Sequence, residues 1–188
     1  MNKLSSISKR KRIALIAGVL IPVSVIVILL IPNHRPLVLP QSILQLRLKE
    51  EIRGKQAQEI VDAMHKKSLT PDENVIGTYF STDGSAKLYV SLYDSRTIAE
   101  EQFKKMIDLI RLEKGPFSHF RELHVQNEKV YIFLGLGQAH YFFLHEKGLY
   151  WWAVDLQIAQ ASMQELVRIV KNNTQKDSQA KCRWLQRI

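Results

Sequence analysis

An uncharged run over residues 13–31 constrains this chain more than any other feature of its sequence. Ser24 is the only polar side chain in the run. A helix of that length is about 28 Å long, which is close to the hydrocarbon thickness of a bilayer. Such a helix satisfies its own backbone hydrogen bonds inside the membrane. The run therefore predicts a transmembrane helix over residues 13–31.

The charges before this run predict its orientation. Lys3 and the four basic residues at 9–12 precede it, and no acidic residue does. Basic residues beside a first span stay in the cytoplasm, so we expect a cytoplasmic tail at 1–12 and an extracytoplasmic, periplasm-like location for the rest. A cleaved signal peptide would have a shorter apolar core and small residues at its end. Residues 31–36 lack that pattern, which favours an uncleaved signal anchor in the inner membrane.

The net charge of +9 is concentrated at the two ends of the chain. Residues 33–170 contain seventeen basic and seventeen acidic side chains, so the predicted domain is neutral. A nucleic-acid-binding domain would concentrate positive charge on its folded face. We therefore expect no nucleic-acid partner, and expect the membrane and proteins as partners instead.

Cys182 is the only cysteine, which rules out a disulfide within the chain. The domain must then be stabilised by its core. The thiol of Cys182 either stays unpaired or pairs with another chain, and the sequence leaves both alternatives open.

Proline positions and hydrophobic patterns divide the chain. Residues 32–40 are proline-rich and read as a linker, residues 41–171 as an extracytoplasmic domain, and residues 172–188 as a basic tail without a core of its own. Leu44, Leu46 and Leu48 alternate with polar residues as in a strand. A helical stripe of apolar residues follows Gly54.

Further patterns predict the rest of the domain. Asp83-Gly84 indicates a tight hairpin between two strands. A helix should cover 97–113, four strands 119–155, and a last helix 158–171. We expect an α+β fold: after the transmembrane helix, one domain with a mainly antiparallel sheet and about three helices, packed on one face. Leu88, Val90 and Leu92 should then share one core with Phe103, Ile107 and Ile110.

Several short runs resemble a loosely defined prokaryotic family of membrane-anchored or exported α+β domains that has no known activity. The resemblance covers about residues 39–157. It is carried by Leu39-Pro40, Gly54-Lys55, Lys87-Leu88-Tyr89-Val90-Ser91, Lys105-Met106, Pro116-Phe117, Val130-Tyr131, Gly135-Leu136-Gly137-Gln138, His140-Tyr141-Phe142-Phe143 and Leu149-Tyr150-Trp151-Trp152. It implies a fold but no functional residues.

The histidines do not form a recognisable metal site. His140 and His145 are five residues apart on one predicted strand, and His119 and His124 have the same spacing, so each pair should point to opposite faces. No nucleotide-binding loop, no nucleophile with a recognisable base and no paired-acid motif is present. We expect no catalytic residues, no cofactor and no metal.

Aromatic residues are dense between positions 131 and 152. They form either the core of the sheet or a binding surface, since aromatic side chains are enriched at interfaces. The candidate partner-binding residues are Tyr141, Phe143, Trp151, Trp152, Arg183 and Trp184.

The sequence favours a non-catalytic accessory subunit of a larger membrane protein complex. Its span and its extracytoplasmic domain would hold neighbouring subunits. The alternative is an extracytoplasmic ligand-binding or sensing domain with an aromatic-lined pocket, and a third interpretation is an enzyme whose site is not recognised. A concave apolar pocket with convergent polar groups would favour the ligand-binding alternative, whereas a flat aromatic patch would favour the subunit.

Overall fold

The computed structural model describes residues 37–65, 71–112 and 117–185, without the side chains of residues 65, 177, 178, 180, 181, 184 and 185. The predicted transmembrane helix at 13–31 and the first part of the linker lie outside this range. Within it, no helix combines the length and the apolar character needed to cross a membrane.

In the described residues, eight strands and three α-helices follow one another. The strands are β1 (Ser42–Ile43), β2 (Leu46–Arg53), β3 (Glu73–Ser81), β4 (Gly84–Leu92), β5 (Phe117–Val125), β6 (Glu128–Gly135), β7 (Gln138–His145) and β8 (Gly148–Asp155). The helices are α1 (Gly54–His65), α2 (Arg96–Leu112) and α3 (Ala159–Leu185), with a 3-10 turn at Leu156–Ile158 before α3.

All eight strands form one antiparallel sheet in the order β1-β2-β3-β4-β8-β7-β6-β5. The predicted α+β class and antiparallel sheet are thereby confirmed for the described domain. The strand order follows from α2, which carries the chain from β4 in the centre to β5 at the far edge. Three hairpins then bring it back, so that β8 pairs with β4.

The helices cover both faces of the sheet, so the prediction that they pack on one face is wrong. α3 packs on one face, with Leu166 and Val167 buried against Trp152 and Phe143. We call this the α3 face. On the opposite face α1 lies over β2 and β3, and α2 lies over β7 and β8. We call this the two-helix face.

The predicted single core is therefore divided in two. Leu88 and Val90 point to the α3 face. Phe103 and Ile107 of α2 pack on the opposite face, against Tyr131 and other aromatic residues. Successive residues of a strand alternate between faces, and every central strand here has apolar residues on both. A sheet buried on both sides accounts for the density of aromatic residues.

Two element boundaries differ from the predictions. Leu44 lies in the turn between β1 and β2 with a φ of 52°, so the predicted alternating strand begins only at Leu46. α3 continues to Leu185, whereas a tail was expected from residue 172. The segment after Lys171 contains neither glycine nor proline, and its lysine, glutamine and alanine residues favour helix. A helix that is already formed can therefore extend through it.

Candidate functional site

The candidate partner-binding residues lie in different parts of the fold. Tyr141, Phe143 and Trp152 are buried on the α3 face, with exposed fractions of 5%, 0% and 0%, so they have no surface for a partner. The indole of Trp152 donates a hydrogen bond to Ser162 Oγ of α3 at 3.1 Å. Trp151 is half-buried on the two-helix face. These four residues are therefore not one surface.

The other two candidates are on the last turns of α3. Arg183 is exposed, and Trp184 belongs to the helix although its side chain is outside the described set. Among the described side chains, the last buried apolar residue of α3 is Val170, more than three turns before them. Arg183 and Trp184 are thus remote from the aromatic core.

A groove opens on the two-helix face between α1 and α2. It has a volume of about 660 Å³. The residues that line it are Met64, Thr78, Phe80, Ser85, Ala86, Lys87, Tyr89, Met106, Leu109, Ile110, Phe117, Leu136, Gln138, His140, Trp151 and Ala153. Of these residues, only Trp151 is among the candidate partner-binding residues named from the sequence.

The floor of the groove follows from the register of four strands. One row across the sheet is Thr78, Lys87, Ala153 and His140, each paired with the next. The adjacent row places Tyr89 beside Trp151. The small side chain of Ala153 in the centre of the first row leaves a depression between longer neighbours. The pairing of β4 with β8 creates this row. Lys87 and Ala153 are 66 positions apart in the chain, so no local sequence pattern indicates that they are neighbours.

His140 and Trp151 form a fixed part of the floor. The Trp151 indole Nε1 donates to His140 Nδ1 at 3.2 Å, and His140 Nε2 lies 3.0 Å from the carbonyl oxygen of Gly135. Because an indole can only donate, Nδ1 must accept and Nε2 must carry the proton. The imidazole also stacks on Phe133 at 5.3 Å. Burial lowers the pKa of His140. The ring is therefore held neutral, with both nitrogens occupied.

Asp155 stabilises the open end of the groove but does not line it. One carboxylate oxygen accepts from Gln138 Nε2 at 2.9 Å, and the other accepts from the backbone N–H and the hydroxyl of Ser85 at 2.7 and 3.0 Å. These hydrogen bonds, from Gln138 first, lower the pKa of Asp155. Asp155 thus joins β4, β7 and β8.

Among the described residues, Lys87 is the only charged one that lines the groove. It is exposed, and within the same part of the chain no carboxylate forms a salt bridge with it. Its neighbours in the same row are Thr78 and then Glu50 of β2. The groove is otherwise apolar, with polar groups only on its floor and at its open end.

The described residues contain no cluster of three or more histidine, cysteine, aspartate or glutamate side chains that could hold a metal ion. His145 faces the α3 face, where Nε2 lies 3.1 Å from Thr174 Oγ1 and Nδ1 lies 3.2 Å from a Glu128 oxygen. His140 and His145 therefore point to opposite faces, as predicted.

Comparison of this chain with protein-family models, with curated proteins and with solved structures gave no match. A function for this chain must therefore be argued from the geometry of the groove, and the resemblance to an exported α+β family stays a prediction.

Proposed function

We propose that this domain binds a slender, mostly apolar small molecule in the groove between α1 and α2. The observation that carries this proposal is the concavity itself, a space of about 660 Å³ with apolar walls and a few polar groups on its floor. Small-molecule sites have volumes of about 300–1,000 Å³ and the same distribution of apolar and polar groups.

The spacing of the helices limits the shape of the ligand. α1 lies over β2 and β3, and α2 lies over β7 and β8, three strand spacings away. At about 4.8 Å per strand this separates the helix axes by about 14 Å. Two helices in direct contact are about 8–10 Å apart. The remaining width of about 5 Å accommodates an alkyl chain or a ring on edge, but not another helix.

Leu136 supports a role for the open end of the groove. It occupies the tip of the β6–β7 hairpin with a φ of 53°, and it is 72% exposed while lining the groove. A left-handed conformation is unfavourable for leucine, and glycine or asparagine is preferred in such turns. Strained backbone of this kind occurs at functional sites. An apolar contact between Leu136 and the ligand would explain why a leucine is present.

Photoaffinity labelling tests this proposal. The full chain in detergent micelles is irradiated with an uncharged alkyl diazirine, and the labelled residues are mapped by mass spectrometry. We expect labels on Met64, Met106 and Trp151. Thr78→Trp places a bulky side chain on the floor and should remove these labels. Arg121→Trp, on the exposed edge strand β5, is the matched control and should retain them. Labels spread over the surface, or unchanged by Thr78→Trp, would contradict the proposal.

A second candidate is the accessory subunit favoured by the sequence. Phe80, Leu109 and Leu136 are exposed to 48%, 49% and 72% around the mouth of the groove. Exposed apolar side chains that surround one concavity are typical of a surface that a partner protein covers. A protein of the same membrane could then cover the mouth, with or without a ligand inside.

Mild detergent extraction distinguishes this candidate. Native protein should migrate with partners, and Leu136→Asp should release them. Leu123→Asp, at a comparably apolar exposed position of β5, should not. Migration of the native protein as a monomer would count against a subunit role and would leave the ligand-binding proposal intact.

We also propose that the chain is non-enzymatic. From the run at 13–31 and the basic residues before it, we infer a single-pass protein of the inner membrane with its C-terminal domain outside the cytoplasm. Protease added to intact spheroplasts should degrade the domain. Digestion only after lysis would reverse this orientation.

A further inference from the structure

A small inner chamber adjoins the groove between the two helices. Its volume is about 20 Å³, which is room for about one water-sized group. Met64, Tyr89, Met106 and Trp151 line both the groove and the chamber. Methionine side chains are flexible, so these two can admit a group that enters from the groove. The chamber is therefore the inner end of the same ligand path.

Tyr93 lines this chamber, and its hydroxyl has no hydrogen-bond partner among the described residues. The residue is 1% exposed, and its hydroxyl oxygen is the one buried side-chain polar atom of the described residues that has no hydrogen-bond partner. Burial raises the pKa of Tyr93 to about 12, so the hydroxyl keeps its proton at neutral pH. A buried donor without an acceptor destabilises a fold, and such a group in a native structure calls for an explanation.

The neighbouring polar groups already have partners. Ser91 also lines the chamber, but its hydroxyl donates to Asn74 Oδ1 at 2.5 Å. Asn74 in turn donates to Gln58 of α1. This network ties α1 to β3 and β4. Within the described residues, this network does not supply an acceptor to the Tyr93 hydroxyl.

The chamber also determines the charge of that acceptor. Its remaining lining residues are apolar or aromatic, and none of its lining residues carries a charge. Lys87 lies on the same face of β4 and lines the groove, but it does not line the chamber. An anion in the chamber would be desolvated without a cation to compensate it, which is strongly unfavourable. A neutral carbonyl or ether oxygen has no such penalty.

We propose that the ligand of the groove carries a neutral hydrogen-bond acceptor, a ketone, ester or ether oxygen, that enters the inner chamber and accepts from the Tyr93 hydroxyl. This inference rests on the proposed ligand-binding function. It assigns the ligand a class, a slender apolar molecule with an acceptor at one end, and assigns Tyr93 as the residue that recognises this acceptor.

A comparison of two competitors tests the inference. 2-Octanone carries the acceptor and octane does not, and each competes with the alkyl diazirine for labelling of wild-type protein and of Tyr93→Phe. For each compound, its competition strength against the wild-type protein is divided by that against Tyr93→Phe. Partition of the compound into micelles affects both values equally and cancels in this ratio. 2-Octanone should compete about tenfold more weakly against Tyr93→Phe, which is the effect of one buried hydrogen bond. Octane should compete equally against both proteins.

The thermal stability of the ligand-free protein provides the second readout. Tyr93→Phe removes an unsatisfied hydroxyl and should leave the melting temperature unchanged or raise it. Tyr79→Phe is the matched control on the α3 face, where the hydroxyl donates to the carbonyl oxygen of Pro40 at 3.0 Å. It should lower the melting temperature and leave 2-octanone competition unchanged.

Two outcomes would overturn the inference while leaving the proposed function standing. One is an equal effect of Tyr93→Phe on both competitors. The other is a lower melting temperature of Tyr93→Phe, which would show that a trapped water already satisfies the hydroxyl. Absence of groove labelling in wild-type protein would instead refute the proposed function itself, so the two failures are distinguishable.

Discussion

The indole of Trp151 donates a hydrogen bond to Nδ1 of His140, and this contact holds both rings in the floor of the groove. The two residues are on neighbouring strands, β8 and β7, and both face away from α3. Neither ring can turn without breaking the contact, because the second nitrogen of His140 is bonded to the backbone of Gly135. The floor is thus rigid before a ligand binds, which lowers the entropic cost of binding.

The neutral state of His140 predicts a pH-dependent stability. Burial lowers its pKa from 6.5, so as pH falls below about 6.5 the unfolded chain takes up a proton before the folded chain does. The contribution of the neutral His140 ring to stability is fully present above that pH, and it is lost as pH falls through the lowered pKa of the folded protein. The melting temperature should therefore fall more steeply with acidification in wild-type protein than in His140→Gln, whose amide oxygen can still accept from Trp151.

The control for this measurement is His124→Gln, at an exposed position of β5. It should melt with the wild-type pH dependence. An identical pH dependence in His140→Gln and wild-type protein would show that His140 is not the group responsible.

Replacement of Leu136 by asparagine should have opposite effects on the stability of the domain and on ligand binding. Asparagine tolerates the left-handed conformation better than leucine does, so Leu136→Asn should raise the free energy of unfolding by about 0.5–1 kcal/mol. The same change removes an apolar contact at the mouth and should weaken groove labelling. Denaturant unfolding and labelling of one preparation measure both effects. Lower stability in this variant would mean that the leucine packs against the domain itself.

Replacement of Leu166 by alanine measures how much the packing of α3 contributes to stability. The Leu166 side chain is fully buried against the sheet. Leu166→Ala should lower the free energy of unfolding by about 2–5 kcal/mol, as expected when a buried leucine leaves a cavity. Leu123→Ala, 37% exposed on β5, is the matched control and should cost less than about 1 kcal/mol. Similar costs in both variants would mean that α3 is not part of the core.

Truncation tests where the folded domain ends. Val170 is the last buried apolar residue among the described side chains, and the hydroxyl of Thr174 bonds to the carbonyl oxygen of Val170. A chain ending at Gln175 should therefore keep a cooperative thermal transition. A chain ending at Glu165 loses Leu166, Val167 and Val170 and should not. Loss of the transition in the chain ending at Gln175 would show that the last turns of α3 are required for folding.

The sequence predicted local structure better than long-range arrangement. Strand alternation, the helical stripes and the antiparallel class depend on residues close in the chain, and the structure confirms them for the described domain. The pairing of β4 with β8 joins residues more than fifty positions apart, and it alone brings Lys87 beside Ala153. The groove, and the division of the core into two faces, depend on that pairing. No local pattern could have indicated them.

The aromatic residues show the same limit. Alternation along β8 places Trp151 and Trp152 on opposite faces. It could not show that both faces are covered by helices, so it left open whether Tyr141 and Phe143 are core or surface. No sequence pattern indicated the unsatisfied hydroxyl of Tyr93. Whether this hydroxyl has a partner depends on which acceptors the fold places near it.

The indole resonances of Trp151 and Trp152 provide the most direct test of the central claim that a ligand occupies this groove. The two residues are adjacent in the chain, but the Trp151 indole lies in the groove and the Trp152 indole is bonded to Ser162 on the opposite face. Nitrogen–proton correlation spectra of the full chain in micelles are recorded during titration with 2-octanone. The chain has three tryptophans, and the variants Trp151→Phe and Trp184→Phe together assign their indole signals. We predict a saturable shift of the Trp151 indole while that of Trp152 stays in place. An unmoved Trp151 signal, or a shift confined to Trp152, would contradict this claim.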